Sequence, residues 1–167
     1  MWPVGPIQAS SVTLKFIPTM AVNIRPNQSA DVPQALAPDA MFRSHIQSRV
    51  DGYCTSDDLT LLTRYGVDTC GLDTLKAQII LDLELERQFV ANERQLLQNL
   101  HDSLYRFTAS DRKLDAKEHK DAIQLVCKAA PGYRHGLNLQ LAEAALISYC
   151  RANQIKMKTG LFTWAVP

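Results

Sequence analysis

A mainly all-α domain behind a loose N-terminal arm is the fold this sequence predicts, and three observations predict it. Neither glycine nor proline occurs from Leu72 to Ala130, so the two strongest helix breakers are absent over 59 positions. Apolar residues recur through that stretch at steps of three, four or seven, the spacing of a helix face. Six of the eight prolines (Pro3, Pro6, Pro18, Pro26, Pro33 and Pro38) fall in the first 38 residues, among Gln, Ser and Asn. The expected organisation is a flexible Pro-rich arm over 1–38 and a helical domain over 39–167.

Within the arm only Val12-Thr-Leu-Lys-Phe16 alternates as an edge strand does. Met20 is a candidate internal start. The first expected helix runs from Asp39 to Val50 with Phe42, Ile46 and Val50 on one face, and Asp51-Gly52 stops it. A second follows the N-cap candidate Thr55, buries Leu59, Leu62 and Tyr65, and ends at Gly66. The third is one long central helix from Asp73 to Phe107, with Leu75, Ile79, Leu83, Val90, Leu97, Leu100, Leu104 and Phe107 as its stripe. Unbroken, it is a rod of roughly 50 Å at about 1.5 Å per residue. The alternative is a break near Ala91-Asn92. Glu86 and Glu93 interrupt a strict heptad, so an intramolecular bundle helix is preferred to a coiled coil.

Thr108 to Asp111 reads as a turn, and Asp115 with Glu118 as the capping box of a fourth helix. Ala122, Ile123, Val126 and Cys127 line that helix, and Pro131-Gly132 ends it. A fifth spans Asn138 to Asn153, with Leu141, Ala142, Ala145, Leu146, Tyr149 and Cys150 inward. Ile155 to Met157 and Leu161 to Val166, around Thr159-Gly160, suggest a short terminal hairpin that pairs with the Val12–Phe16 strand. About five helices in a bundle, with a short β element, is the resulting expectation.

Charge and composition narrow the function classes. Eighteen basic and seventeen acidic side chains leave a net charge of +1, and the densest basic cluster is Arg151, Lys156 and Lys158. Nucleic-acid binding needs a more concentrated basic face, so no nucleic-acid partner is expected. No apolar run approaches the roughly 20 residues of a membrane span, so no membrane partner is expected. Prolines interrupt the N-terminus and Lys15 lies inside its apolar part, against a secretory signal. Cys54, Cys70, Cys127 and Cys150 lie far apart, which favours reduced thiols in a cytoplasm. Export without a cleaved signal, as in secretion-associated bacterial proteins, is the alternative.

Two segments repeat a pattern. Asp51-Gly-Tyr-Cys-Thr55-x-x-Asp58 aligns with Asp111-Arg-Lys-Leu-Asp115-x-x-Glu118 over eight positions. Both resemble the second half of an EF-hand loop, and the resemblance makes Asp51, Thr55, Asp58, Asp111, Asp115 and Glu118 metal candidates. The early carboxylates that calcium needs are missing, because Arg49 and Ala109 occupy the third loop positions. The preferred reading is therefore a pair of helix-start capping boxes, with no metal or cofactor.

Other chemistry is sparse. His119 and Cys127 are two turns apart on one expected helix, about 12 Å at the helical rise, too far to touch. His45, His101 and His135 have no partner at metal-ligand spacing, and Cys127 and Cys150 sit in apolar stripes. Asp82, Glu84, Glu86 and Glu93 read as a solvated helix face, and no glycine loop cradles phosphate. Leu161, Phe162 and Trp164 are interface candidates, with core sealing an equal alternative. The expected function is non-enzymatic: a helical binding, adaptor or regulatory protein acting through protein–protein contacts, with homodimerisation through the long helix as one form. A cation-responsive protein and a small thiol-dependent enzyme are the alternatives.

Overall fold

The computed structural model describes residues 36–160 and 163–167. The expected strand at Val12–Phe16, its pairing with the terminal hairpin, the start at Met20, and the interface candidates Leu161 and Phe162 lie outside the described residues. The chain is mainly helical, as expected, with short strands between the helices. Six helices are described rather than five: α1 (Pro38–Arg49), α2 (Ser56–Asp68), α3 (Thr74–Arg87), α4 (Glu93–Thr108), α5 (Ala116–Cys127) and α6 (Leu139–Ala152). Five strands of two or three residues accompany them: β1 (Tyr53–Cys54), β2 (Ala91–Asn92), β3 (Lys113–Leu114), β4 (Lys156–Lys158) and β5 (Trp164–Ala165).

The extra helix corrects the single long central rod. The rod breaks between α3 and α4, at the alternative site near Ala91-Asn92, without a glycine or proline. Phe89 takes a left-handed φ of 53°, which lets its NH donate to Glu86 O at 3.0 Å and the Val90 NH to Leu85 O at 2.9 Å. Those two bonds close the α3 C-terminus as a glycine-type cap does. Asn92 then starts α4 by accepting from the Gln95 NH at 3.2 Å. The break also rotates the stripe. Leu75, Ile79 and Leu83 are exposed, while Ala77, Ile80, Leu81 and Leu85 turn inward, and Val90, Leu100 and Leu104 are buried as expected.

The helices form two copies of one unit. The first repeat is α1-β1-α2-α3-β2 and the second is α4-β3-α5-α6-β4. Within each, the short strand before the second helix pairs in parallel with the strand after the third. Tyr53 and Cys54 face Ala91 and Asn92, and Lys113 and Leu114 face Lys156 and Met157. The details coincide. Gly52 and Arg112 both have positive φ (70° and 55°), and so do Phe89 and Gln154 (53° and 55°). Gly52 O accepts from the Ala91 NH and Arg112 O from the Lys156 NH, both at 3.0 Å. Asp73 caps α3 and Asn138 caps α6, each preceded by a buried leucine, Leu72 and Leu137.

Each repeat has its own core. Phe42, Ile46, Leu59, Leu62, Leu81 and Leu85 fill the first; Leu100, Leu104, Leu114, Val126, Leu146 and Cys150 fill the second. A fully buried side chain of this size stabilises the fold by about 1.5–3 kcal/mol, so each helix is held chiefly by its apolar face. Not all acidic residues of α3 and α4 form a solvated face, which corrects that expectation for two of them. Asp82 and Glu86 are exposed, but Glu84 is buried at 2% exposure. It accepts from Arg43 at 2.6 Å, Gln47 at 3.1 Å and Arg87 at 2.7 Å, so α1 is clamped to α3. Glu93 accepts from the Ser56 NH at 3.0 Å and from Tyr53 Oη at 2.9 Å, tying the start of α4 to the start of α2.

The terminal hairpin forms as expected. β4 pairs antiparallel with β5, matching Met157 with Ala165 and Lys158 with Trp164. No helix among the described residues is long and apolar enough to cross a membrane.

Candidate functional site

The repeats differ most in one loop. Corresponding residues lie 60 positions apart in the first part of the unit, as Gly52 and Arg112 or Thr55 and Asp115 do, and 65 apart in the second, as Asp73 and Asn138 do. The added residues fall between α5 and Leu137. Gly132 permits this loop with a φ of 88°, and Gly136 because a Cβ there would lie 2.3 Å from Cys127 O.

That loop reaches across to the first repeat. Tyr133 meets Phe89 edge to face with ring centroids 5.7 Å apart. Arg134 Nη1 donates to Asp51 Oδ1 at 3.3 Å, and the His135 ring stands over Gly52, where a Cβ would be 3.2 Å from it. Phe89 thus joins two observations: a left-handed backbone that is uncommon for a bulky residue, and a ring 53% exposed except where Tyr133 and Gly132 meet it.

Beside this bridge lies a cleft of about 450 Å³ between the repeats. Leu85 lines it from α3, Val90 from the turn after it, Ala91 from β2, Leu96 from α4, Leu125 from α5, and Tyr133, His135 and Gly136 from the added loop. Leu125 is 61% exposed, an apolar side chain left standing at the edge of an apolar floor. Asp82, Glu86, Asn92, Gln95, Asn99 and Lys128 form the rim. Several rim groups hold each other: Asn92 Nδ2 donates to Asp82 Oδ1 at 3.0 Å, and Gln95 Nε2 to Asn99 Oδ1 at 3.0 Å. The cleft thus has an apolar floor, a polar rim partly fixed by its own hydrogen bonds, and room for a small ligand or a side chain. Nothing in the sequence reading found this cleft. Its one signal was Pro131-Gly132, read only as a helix stop.

The six residues of the EF-like segments are not brought together. Asp51 to Asp58 belong to the first repeat and Asp111 to Glu118 to the second, and β1 and β3 pair with different strands. Apart from Asp51, which pairs with Arg134, their oxygens serve the backbone. Thr55 Oγ1 accepts from the Asp58 NH at 3.1 Å, and Asp58 Oδ2 accepts from the Thr55 NH at 3.2 Å. Asp115 Oδ1 accepts from the Glu118 NH at 2.8 Å, and Glu118 Oε2 from the Asp115 NH at 3.0 Å. The bonds from the Glu118 and Lys117 backbone hold the Asp115 carboxyl below its usual range. Asp111 accepts from the Lys113 NH at 3.0 Å. Both capping boxes form as read, and they look alike because they are the same position of a repeated unit. No group of three or more metal-ligating side chains occurs among the described residues.

The thiols are held protonated. Burial pushes Cys54 up to about 11, helped by the nearby Asp58 and Glu93 carboxylates, and burial pushes Cys150 up to about 11. Burial also raises Cys70 and Cys127. Cys54 and His45 line one pocket of about 430 Å³ in the first repeat. The His45 ring stacks on Tyr65 at 3.6 Å, and burial together with Arg49 lowers its pKa. A raised thiol and a lowered imidazole lining one pocket are the reverse of the thiolate–imidazolium pair that activates a cysteine. His119 Nε2 is hydrogen-bonded to Glu143 Oε2 at 2.9 Å, linking α5 to α6.

Of the three aromatic or apolar interface candidates, Trp164 alone is described. It is half-buried on β5 with Lys113 Nζ 5.4 Å from its ring centroid, and Arg151 Nε donates to Pro167 O at 2.7 Å nearby. The end of the chain is thereby fastened to the second repeat. Comparison with protein-family models, with curated proteins and with solved structures finds no match.

Proposed function

We propose that this chain is a non-enzymatic binding module that receives a short apolar segment of a partner protein in the cleft between its two repeats. The observation that supports this is Leu125, an exposed leucine beside a preformed apolar floor, framed by amides and charges that set register without offering a nucleophile–base pair. Apolar anchors in pockets with polar rims carry most of the free energy of peptide recognition. The added loop supports the same reading, because the one large departure from the repeat plan builds a wall of this cleft.

The test is to pan a random-peptide library on the full chain and rank the enriched peptides against the Leu125→Glu variant. Peptides rich in large apolar residues that lose at least tenfold in affinity for the variant are the expected outcome, since a buried charge faces the anchor. Enrichment of nothing, or of peptides that bind both proteins equally, would remove the proposal.

A further inference from the structure

The first-repeat pocket lined by Cys54 and His45 has no part in the cleft. It opens between α1, β1 and α2 with a volume of about 430 Å³. Cys54 and Leu62, both buried, form its floor. His45 and Tyr65 stack with their rings only 10° from parallel, so an aromatic wall joins α1 to α2. Leu61 also lines the space, yet is 62% exposed. At the matching place on α5 stands Asp121, so the repeat plan does not require a leucine there.

Two opposite charges, Arg49 and Asp58, border this floor. They do not pair with each other, and Arg49 has no carboxylate partner among the described residues. Asp58 Oδ2 accepts from the Thr55 NH and from its hydroxyl, at 3.2 and 2.7 Å, which leaves Oδ1 without a partner among the described residues. The charges act on different walls. Burial and then Arg49 lower the pKa of His45 on α1, whereas burial and then Asp58 raise the Cys54 thiol on β1.

We infer that this pocket binds a free α-amino acid with a large apolar side chain. Arg49 receives the carboxylate, because a guanidinium fork meets that group with two parallel hydrogen bonds. Asp58 Oδ1 is the acceptor left for the ammonium group. The side chain lies on Cys54 and Leu62, and covers Leu61. A ligand of one charge would leave either Arg49 or Asp58 unmatched, while a zwitterion matches both. The volume suits a small molecule. An internal peptide segment carries neither end group, so this site and the Leu125 cleft take different ligands.

Nuclear magnetic resonance of the isotope-labelled full chain tests this with phenylalanine, added to about 20 mM because so small a ligand binds weakly. Saturable shifts are expected at Val50, Tyr53, Cys54, Leu61 and Leu62. Phenylpropionate lacks the ammonium group, phenylethylamine the carboxylate and alanine the ring, and each should bind about tenfold more weakly or worse. The deciding arm crosses ligands with variants. Arg49→Gln should weaken phenylalanine about tenfold and leave phenylethylamine unchanged. Asp58→Asn, which keeps an oxygen for the Thr55 cap, should weaken phenylalanine about tenfold and leave phenylpropionate unchanged. Both positions are exposed, so the variants fold, and Leu125→Glu should bind phenylalanine as the parent does. No saturable shift with phenylalanine overturns the inference. So do analogues that bind equally well with one charge, or shifts centred on Val90 and Leu125 in the cleft.

Discussion

The first and second repeats solve one packing problem with different side chains. In the first, Phe42 of α1 lies against Gly66 of α2, where a Cβ would come within 3.0 Å of the ring. In the second, Val126 of α5 is buried, and Leu100 and Leu104 are the fully buried leucines of α4. Gly66 and Val126 are the same place, since Gly66 O accepts from the Leu72 NH and Val126 O from the Leu137 NH. In the first repeat a large ring fills the room that the missing side chain leaves, and in the second a valine side chain stands at that place. Such cores tolerate coordinated change and resist change at one member alone.

The largest expected effect comes from breaking that compensation. Gly66→Val should destabilise the chain by about 3 kcal/mol in urea melts, because the Phe42 ring and Ala77 leave no room. Adding Phe42→Leu should recover at least half of the loss. Strict additivity of the two substitutions would show that the repeats are not equivalent here.

Next in size is the buried carboxylate. The first repeat has Glu84 where the second has Tyr149. Burial alone would raise the Glu84 pKa, but hydrogen bonds from Gln47, Arg43 and Arg87 outweigh it and hold the carboxyl below its usual 4.5. A folded pKa below the unfolded one contributes stability above about 4.5 that is lost as pH falls through the lower value. Glu84→Gln should cost about 1–3 kcal/mol at neutral pH and flatten the acid limb of Tm against pH. An acid limb as steep as the parent's would place the acid sensitivity elsewhere, with Glu93 the next group to examine, since hydrogen bonds from Ser56 and Tyr53 lower it against its burial.

A smaller difference sits at the turn into each second helix. Gly52 and Arg112 share the left-handed backbone, yet one is glycine. Gly52→Ala should lose about 1 kcal/mol, from positive φ and the His135 ring, whereas Arg112→Gly should change stability by less than about 0.5 kcal/mol or raise it. Equal losses at both sites would show that the left-handed backbone does not set the difference between them. The smallest expected effect on stability is at Leu125. Leu125→Glu should leave Tm within about a degree, as an exposed position does, while abolishing peptide binding.

Much of this architecture was readable from periodicity and caps. Thr55, Asp115 and Asn138 each start the helix expected of them, because a side chain that accepts from the first turn acts locally. The break in the long helix was legible only as an alternative. Its agent, Phe89 in a left-handed conformation, is a residue type that gives no warning of that backbone. The alignment of Asp51–Asp58 with Asp111–Glu118 was visible, but the five-residue change of spacing before Asn138 hid the rest of the repeat. The misplaced α3 stripe has a different cause. Leu75, Ile79 and Leu83 fit a helical face as well as Ala77, Ile80, Leu81 and Leu85 do, and spacing alone does not say which face meets the core. The cleft was invisible, because it is made by residues remote in sequence and by a loop whose course depends on Gly132 and Gly136.

Asn92 ends β2 and caps α4, so the first repeat passes into the second through a single residue engaged on both sides. A junction of that kind has no slack. The walls on either side of the Leu125 floor cannot swing apart unless the last strand pair or the first helical turn comes undone. A side chain entering the cleft, as proposed above, would therefore meet a gap already at its final width. Under that proposal, selection would rest on the shape of what enters rather than on the readiness of the host to close.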